Sequence, residues 1–444
     1  VTRARRAIVL PFIAASIATT YSETLTYGVD AGLGETDNVT LAHDDKISQT
    51  IAVTDFDVDY QQKSQRLDAH AKGDFSYLDY LQGAYRNQLI GRFDGSGLLS
   101  LIPQRLTWLF QDDFGQAVIN PFVPTRPTNL ENINAFATGP ELYLRPGGAS
   151  FVDFVARATR IQYETTAYTN TRVTGSMAWG LNLSALSSVS INGDTERVLF
   201  ENTTLNSDFE RTNAFVRYEI QGFRTQLSAD LGATVVGENS GSTTGALVRF
   251  NLVRKISAAA RLNLSLGRDV IDGSTSFTAL QSGATGVVGA APAISTSENY
   301  TSTHGSVGWN YERNRTTLGV SGRWERDDYV SQATLDRTMF GGEVRFQRLL
   351  SREFAIQITG RLDKIDYYNA IVTGANGSPN NQTSSIIAGL TWRPGRALEV
   401  KLACEHTSYA ASPSDNSYKE NRLFLTVGYR PRREALSDGS VTGN

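Results

Sequence analysis

An alternation with a period of two residues runs through the chain, and it restricts the fold more than any other feature. In Thr54–Tyr60 (TDFDVDY), Phe56, Val58 and Tyr60 interleave with Asp55, Asp57 and Asp59. In Leu67–Tyr77, Leu67, Ala69, Ala71, Phe75 and Tyr77 interleave with Asp68, His70, Lys72 and Asp74. The pattern returns downstream, where Leu318, Val320 and Trp324 oppose Arg323 and Glu325, and Phe340, Val344 and Phe346 oppose Glu343 and Arg345. Ile356, Ile358 and Leu362 oppose Arg361 and Asp363, and Leu398, Val400 and Leu402 oppose Glu399 and Lys401. Successive side chains of a strand point to opposite faces, so each segment is a strand with one apolar and one charged face.

About 20 such strands (18–22) fit into the 444 residues. Their connections alternate, with only a few residues after even strands (RPGGA, GFR, RN, LLSR, RPGRA). After odd strands they are long: Phe114–Asn134, Gly193–Phe209, Val270–Thr301, Asp366–Thr383 and Tyr409–Glu420. Short turns at one end and long loops at the other describe an all-β, transmembrane, antiparallel up-and-down β-barrel with periplasmic turns and extracellular loops. A soluble sandwich would need thicker apolar runs for its core, and no fixed period of 20–50 residues supports a propeller or solenoid. Trp179, Trp309, Tyr311 and Trp392 are expected at one membrane interface and Trp324, Tyr163 and Tyr77 at the other.

Residues 1–18 read as a signal peptide: Arg3, Arg5 and Arg6 precede the apolar run Ala7–Ile17, and Ser16-Ile17-Ala18 offers a cleavage site. The barrel is expected over 19–430 and a polar periplasmic tail over 431–444, which places the chain in a bacterial outer membrane. A net charge of −3 leaves no basic excess for nucleic acid, and the single Cys404 excludes a disulfide framework; it is read as an apolar filler on the lipid face.

On the charged face, the expected pore-lining residues are Asp55, Asp57, Asp59, Asp68, His70, Lys72, Arg217, Glu219, Arg323, Glu325, Glu343, Arg345, Arg361, Asp363, Glu399 and Lys401. Pairing across QKSQR puts Asp59 beside Asp68, Asp57 beside His70 and Asp55 beside Lys72. Mixed signs on neighbouring strands suggest cross-strand ion pairs rather than a strongly selective wall. No catalytic residue, metal site or cofactor is assigned: GxSxG, HExxH, Walker and dinucleotide motifs are absent, and His43 and His406 are placed in or beside loops. The Pro-bearing connection Phe114–Asn134 is either an inward constriction or an external cap.

Three stretches, GLGETDNVTLAHDDKISQTI (Gly32–Ile51), LDYLQGAYRN (Leu78–Asn87) and FGQAVINPFVPTRPTNLENINAFATGPELYLR (Phe114–Arg145), resemble outer-membrane barrels encoded with exopolysaccharide and exosortase (PEP-CTERM) systems of Gram-negative bacteria. The resemblance implies a conduit or assembly partner of an exopolysaccharide or surface-protein export locus. The expected function is a pore for a hydrophilic polymer or solute. Alternatives are a non-conducting scaffold or anchor for surface components and, more remotely, an outer-membrane hydrolase. Expected partners are outer-membrane lipid and lipopolysaccharide, the barrel-assembly machinery and periplasmic polysaccharide-export components.

Overall fold

A computed structural model describes residues 22–238, 241–281, 293–370, 379–412 and 414–431. The signal segment 1–18 and all of the tail beyond Pro431 lie outside the described residues. Twenty strands follow one another: β1 (Ser22–Thr36), β2 (Gln49–Lys63), β3 (Leu67–Tyr80), β4 (Gln88–Ile102), β5 (Leu106–Val118), β6 (Leu130–Leu144) and β7 (Ser150–Tyr163). Next come β8 (Asn170–Ser184), β9 (Ser187–Phe200), β10 (Phe209–Gln221), β11 (Thr225–Glu238), β12 (Gly241–Lys255) and β13 (Ala260–Asp272), then a short helix α1 (Gly273–Gln281). The remainder are β14 (Asn299–Arg313), β15 (Thr316–Tyr329), β16 (Arg337–Leu349), β17 (Phe354–Tyr367), β18 (Asn380–Trp392), β19 (Leu398–Ala411) and β20 (Tyr418–Tyr429). Each strand pairs antiparallel with the next, and β1 pairs with β20 from Val29↔Tyr429 to Thr36↔Arg422, which closes the sheet. Closure pairs the sheet's two edge strands with each other from Val29 to Thr36, the arrangement that lets backbone be buried in lipid.

The strands run further toward the long-loop end than the alternation indicated. The connection expected over Phe114–Asn134 shrinks to 119–129, and the one expected over Gly193–Phe209 shrinks to 201–208, because the ladders continue through Val118↔Leu130 and Val198↔Phe209. Between β11 and β12 the strands stay paired down to Glu238↔Gly241, an exception to the rule that connections after odd strands are long. Inner-face residues such as Val198, Phe200, Ile133 and Ile161 are apolar and buried at these ends, so the charged-face signal fades there. By the loop-length asymmetry, this end is the outer mouth.

The outward face carries a belt of exposed apolar side chains on every part of the circumference, among them Phe56, Val173, Ile191, Leu231, Val307, Val344, Leu362, Ile386 and Leu425. On a closed barrel this belt is the lipid surface, and the chain is an outer-membrane β-barrel. Trp309 stacks on Tyr311, and Phe354 on Trp392, at the short-turn end. Tyr163 departs from its expected girdle position: it shares the parity of Arg157, turns inward and is buried, with its hydroxyl 2.9 Å from Ser274 Oγ. Cys404 is free and exposed on the outer face.

The two faces give opposite outcomes for one substitution. Val344→Arg, in the middle of the outer face of β16, is expected to destabilise the barrel by about 2–4 kcal/mol. Ser321→Arg, opposite Glu343 on the inner face, is expected to change stability by less than about 1 kcal/mol. Urea titration of both variants refolded in lipid vesicles measures the difference, and a larger loss from Ser321→Arg than from Val344→Arg would mean the faces are reversed.

Candidate functional site

Pairing across the sheet carries one face around the ring. The row Asp59, Lys72, Asp94, Asp113, Ala135, Ile161 runs from β2 to β7 through facing residues. Ile161 belongs to the cluster that packs on α1, so this face looks into the lumen. The sixteen residues singled out in the sequence share that parity and line the inner wall.

The expected pairing of the β2–β3 hairpin is offset by four residues. Asp59 faces Lys72, Asp57 faces Asp74 and Asp55 faces Ser76, while Asp68 faces Lys63 and His70 faces Gln61. β2 continues to Lys63, and the turn is Ser64–Arg66, fastened by Leu67 N donating to Ser64 Oγ at 2.9 Å. An offset of four preserves the face, so the same side chains point inward with different neighbours. Asp55 instead accepts a 2.6 Å hydrogen bond from Ser76, and Asp57 binds Arg430 at 2.5 Å.

Ion pairs stitch the inner wall together. Arg217 bonds Asp230 at 2.7 Å and lies 4.0 Å from Glu219; Arg345 bonds Glu343 at 3.0 Å, and Arg323 bonds Asp363 at 2.6 Å, whose second oxygen takes Arg361. Glu325 accepts from Ser302 Oγ at 3.4 Å. Lys401 reaches Asp30 at 3.1 Å and Glu399 at 3.3 Å, both nearly fully buried. Lys401 is therefore a structural cation rather than a dispensable luminal charge.

His70 sits between strands in a way its own hairpin does not reveal. Its Nε2 is 2.7 Å from Asp94 Oδ1, and its Nδ1 is 2.9 Å from Ser96 Oγ, both on β4. Serine, imidazole and carboxylate are thus connected, but Ser96 is mid-strand with ladders on both sides, facing His70 and Gln111. Amides committed to two ladders leave no pair of donors for a developing oxyanion. The triad reads as wall structure. His406 lies on β19, not beside a loop, and its Nδ1 is 2.7 Å from Asn421 Oδ1 on the outer face, whereas His43 lies in the connection between β1 and β2.

Two connections fold over the outer mouth. The first is 119–129. Three prolines stiffen it and Asn129 ties its base, accepting from Asn120 N at 2.8 Å and donating to Asn120 O at 2.8 Å. Its tip leaves β5 and β6 and meets the far wall: Phe122 lies 4.9 Å, centroid to centroid, from Tyr367 of β17, and Pro121 O accepts from the Tyr367 hydroxyl at 3.4 Å. Arg126 donates to Leu41 O in the β1–β2 connection at 3.2 Å. Between the two readings of this segment, the structure gives an ordered span across the mouth.

The second connection, which the sequence did not reveal, follows β13. Asp272 caps α1, accepting from Ser274 N at 3.2 Å and Thr275 Oγ1 at 2.6 Å. The same carboxylate takes both terminal nitrogens of Arg172 on β8, at 2.5 and 3.1 Å, and lies 3.4 Å from Arg211 on β10. Glu196 of β9 sits between the two arginines and bonds Arg211. Phe277 then packs with Ala117, Ile133, Ala135 and Ile161, and Val118 pairs with Ile294. Contacts between β13 and β8, five strands apart, run through the interior. Further along, burial and then the nearby Glu238 carboxylate push Glu298 above its ordinary range, so it takes up a proton at milder acidity than an exposed glutamate.

Beneath the two halves of this roof lies a chamber of about 320 Å³. Pro121, Val123 and Ile294 form its ceiling; Arg323, Arg361 and Asp363, then Glu405, Tyr409 and Arg422, line it along the arc of strands from β15 to β20. Among the described residues, no group of three or more His, Cys, Asp or Glu is arranged to hold a metal ion.

No family model matches the chain, and no curated protein matches it. Solved structures do. The siderophore receptor PirA from Pseudomonas aeruginosa is 12% identical with a TM-score of 0.41, covering 92% of this chain and 81% of that one. The FrpB iron transporter from Neisseria meningitidis is 9% identical with a TM-score of 0.44, covering 91% and 81%. Pseudomonas aeruginosa OpdQ is 8% identical with a TM-score of 0.38, covering 92% and 99%.

Proposed function

We propose that this chain is a gated outer-membrane conduit for a hydrophilic polymer or solute, linked to exopolysaccharide export. The supporting observation is the combination of a charged inner wall with a roof attached to it by side chains and the Val118–Ile294 bridge. A barrel of twenty strands is wide enough for a water-filled lumen, and a folded-in connection is a common means of narrowing one. The resemblance of Gly32–Ile51 and Phe114–Arg145 to barrels encoded with exopolysaccharide systems supports a saccharide as the cargo. Periplasmic polysaccharide-export components would then dock at the short-turn end, and the barrel-assembly machinery would insert the chain. A non-conducting anchor is the second reading, favoured by the span that 119–129 makes across the mouth to Tyr367 of β17.

Planar-bilayer recording separates the two. Purified barrel is expected to show small, infrequently open channels, and a variant lacking Ile119–Thr128 is expected to conduct several-fold more without loss of heat-modifiable migration on gels. A folded deletion variant with unchanged conductance would remove this segment from the gate. Absence of current from both proteins would leave the anchor.

A further inference from the structure

We infer that the chamber beneath the roof is a binding subsite for a sugar unit that carries a carboxylate. The inference deepens the conduit reading and rests on it for the route by which the ligand arrives. Its centre is Arg323 on β15, whose side chain is only 5% exposed. One nitrogen, Nη2, bonds Asp363; Nε and Nη1 are buried and have no hydrogen-bond partner. Because Asp363 gives its other oxygen to Arg361, it has little further to offer Arg323. A buried guanidinium with two unmet donors is costly until an acceptor arrives. Nε and Nη1 lie on different edges of the guanidinium and Nε packs against Gly341, so an arriving carboxylate accepts from Nη1 through one oxygen.

The surroundings are consistent with this. Arg323 reaches β17 by crossing β16 at Gly341, where a Cβ would fall on Arg323 Nε and 2.7 Å from Asp363 Oδ1. A side chain there would fill the passage, so the fold keeps Arg323 on the chamber wall. Further along the same arc, on β20, Arg422 has an unpartnered Nε, with its terminal nitrogens directed to Glu420 at 2.8 Å and Glu405 at 3.8 Å. Tyr409 and Tyr418 stack there at 5.1 Å between centroids and also line the chamber. Guanidinium donors select an anion, and aromatic faces suit the C–H face of a pyranose ring; Glu405 and Glu420 offer acceptors for its hydroxyls. A volume of about 320 Å³ is at the lower end of the roughly 300–1,000 Å³ typical of small-molecule sites, enough for one unit of a chain rather than a long segment.

Calorimetric titration of the folded full chain in detergent, with galacturonate, galactose and sodium sulfate as probes, tests this. Galacturonate is expected to bind, galactose not to bind, and sulfate to bind more weakly than galacturonate. Arg323→Gln is expected to weaken galacturonate at least about ten-fold, the loss of one charge-assisted hydrogen-bonded partner. Arg323→Lys should recover only part of it, since one ammonium cannot hold Asp363 and the ligand from two separate nitrogens. Should Arg323→Gln fail to fold, Arg422→Gln provides the second reading, with a smaller loss expected. Equal binding of galactose, sulfate as tight as galacturonate, or galacturonate undiminished in both variants would overturn the inference. Bilayer conductance of the same preparation is read separately: current without galacturonate binding sinks the subsite alone, and binding without current sinks the conduit.

Discussion

Asp272→Ala is expected to open the mouth. The substitution removes the cap of α1 and the bidentate partner of Arg172, leaving Arg172 and Arg211 with Glu196 as their one remaining carboxylate. Breaking a buried pair by deleting one partner costs about 3–5 kcal/mol, because the surviving charge stays desolvated. That is a shift of roughly two to three powers of ten against the docked position of α1. The barrel ladders do not pass through this segment, so the ring is expected to persist. Single-channel recording should show frequent openings of several-fold larger conductance, with unchanged strand content by circular dichroism. An intact barrel with wild-type current would assign the docking to Phe277 and its apolar neighbours instead.

The seam between the first and last strands is the second sensitive place. β1 pairs with β20 over Val29–Thr36, whereas it pairs with β2 along its whole length, so the inner end of the seam relies on side chains. Arg430, just past β20, donates to both oxygens of Asp30 at 2.9 and 2.8 Å and to Asp57 at 2.5 Å, and lies 3.2 Å from Glu399. It reaches Asp57 by passing over Gly28, where a Cβ would stand 2.9 Å from Arg430 Nε and 2.6 Å from Asp57 Oδ1. Arg430→Ala is expected to lower stability by about 3 kcal/mol or more, since Asp30 is left with Lys401 alone. Urea midpoints of the lipid-refolded barrel measure this; a loss below about 1 kcal/mol would show that the backbone ladder closes the ring unaided.

Strand number, face and membrane placement were legible because lipid imposes them on every residue: Phe56 and Leu425 must be apolar, while Asp57 and Arg345 must not face the lipid. Register was less legible. Gln61, Gln62 and Lys63 extend β2 with polar residues on both faces, so hydropathy could not tell strand from turn, and the offset of four followed. The upper strand ends were cut short for the opposite reason. Val198 and Phe200 face inward yet are apolar, which hides the alternation until the roof they meet is known. The roof itself depends on contacts about a hundred residues apart, such as Arg172 with Asp272, that no local pattern encodes. Two traces were present in the sequence. Asp272 precedes Ser274 and Thr275 as a capping residue does, and Phe277 and Leu280 have the spacing of one helical face. The site that emerges around Arg323 draws on strands β15 to β20 and the roof connections; Arg323, Arg361 and Asp363 were visible only as wall charges, and Tyr409, Tyr418 and Glu420 fell in the connection expected over Tyr409–Glu420.

Because the roof meets the ring through side chains and the short backbone bridge of Val118 to Ile294, the chain divides its labour between parts that can change separately. Holding the protein in the membrane is the work of the ladders and the outer belt, which tolerate little. In the proposed conduit, what the mouth admits is set by 119–129, 273–281 and 293–298, which lie outside the twenty paired strands. A lineage can therefore exchange those two connections to suit a different cargo while the ring stays as it is, and an engineer can graft new ones on the same footing.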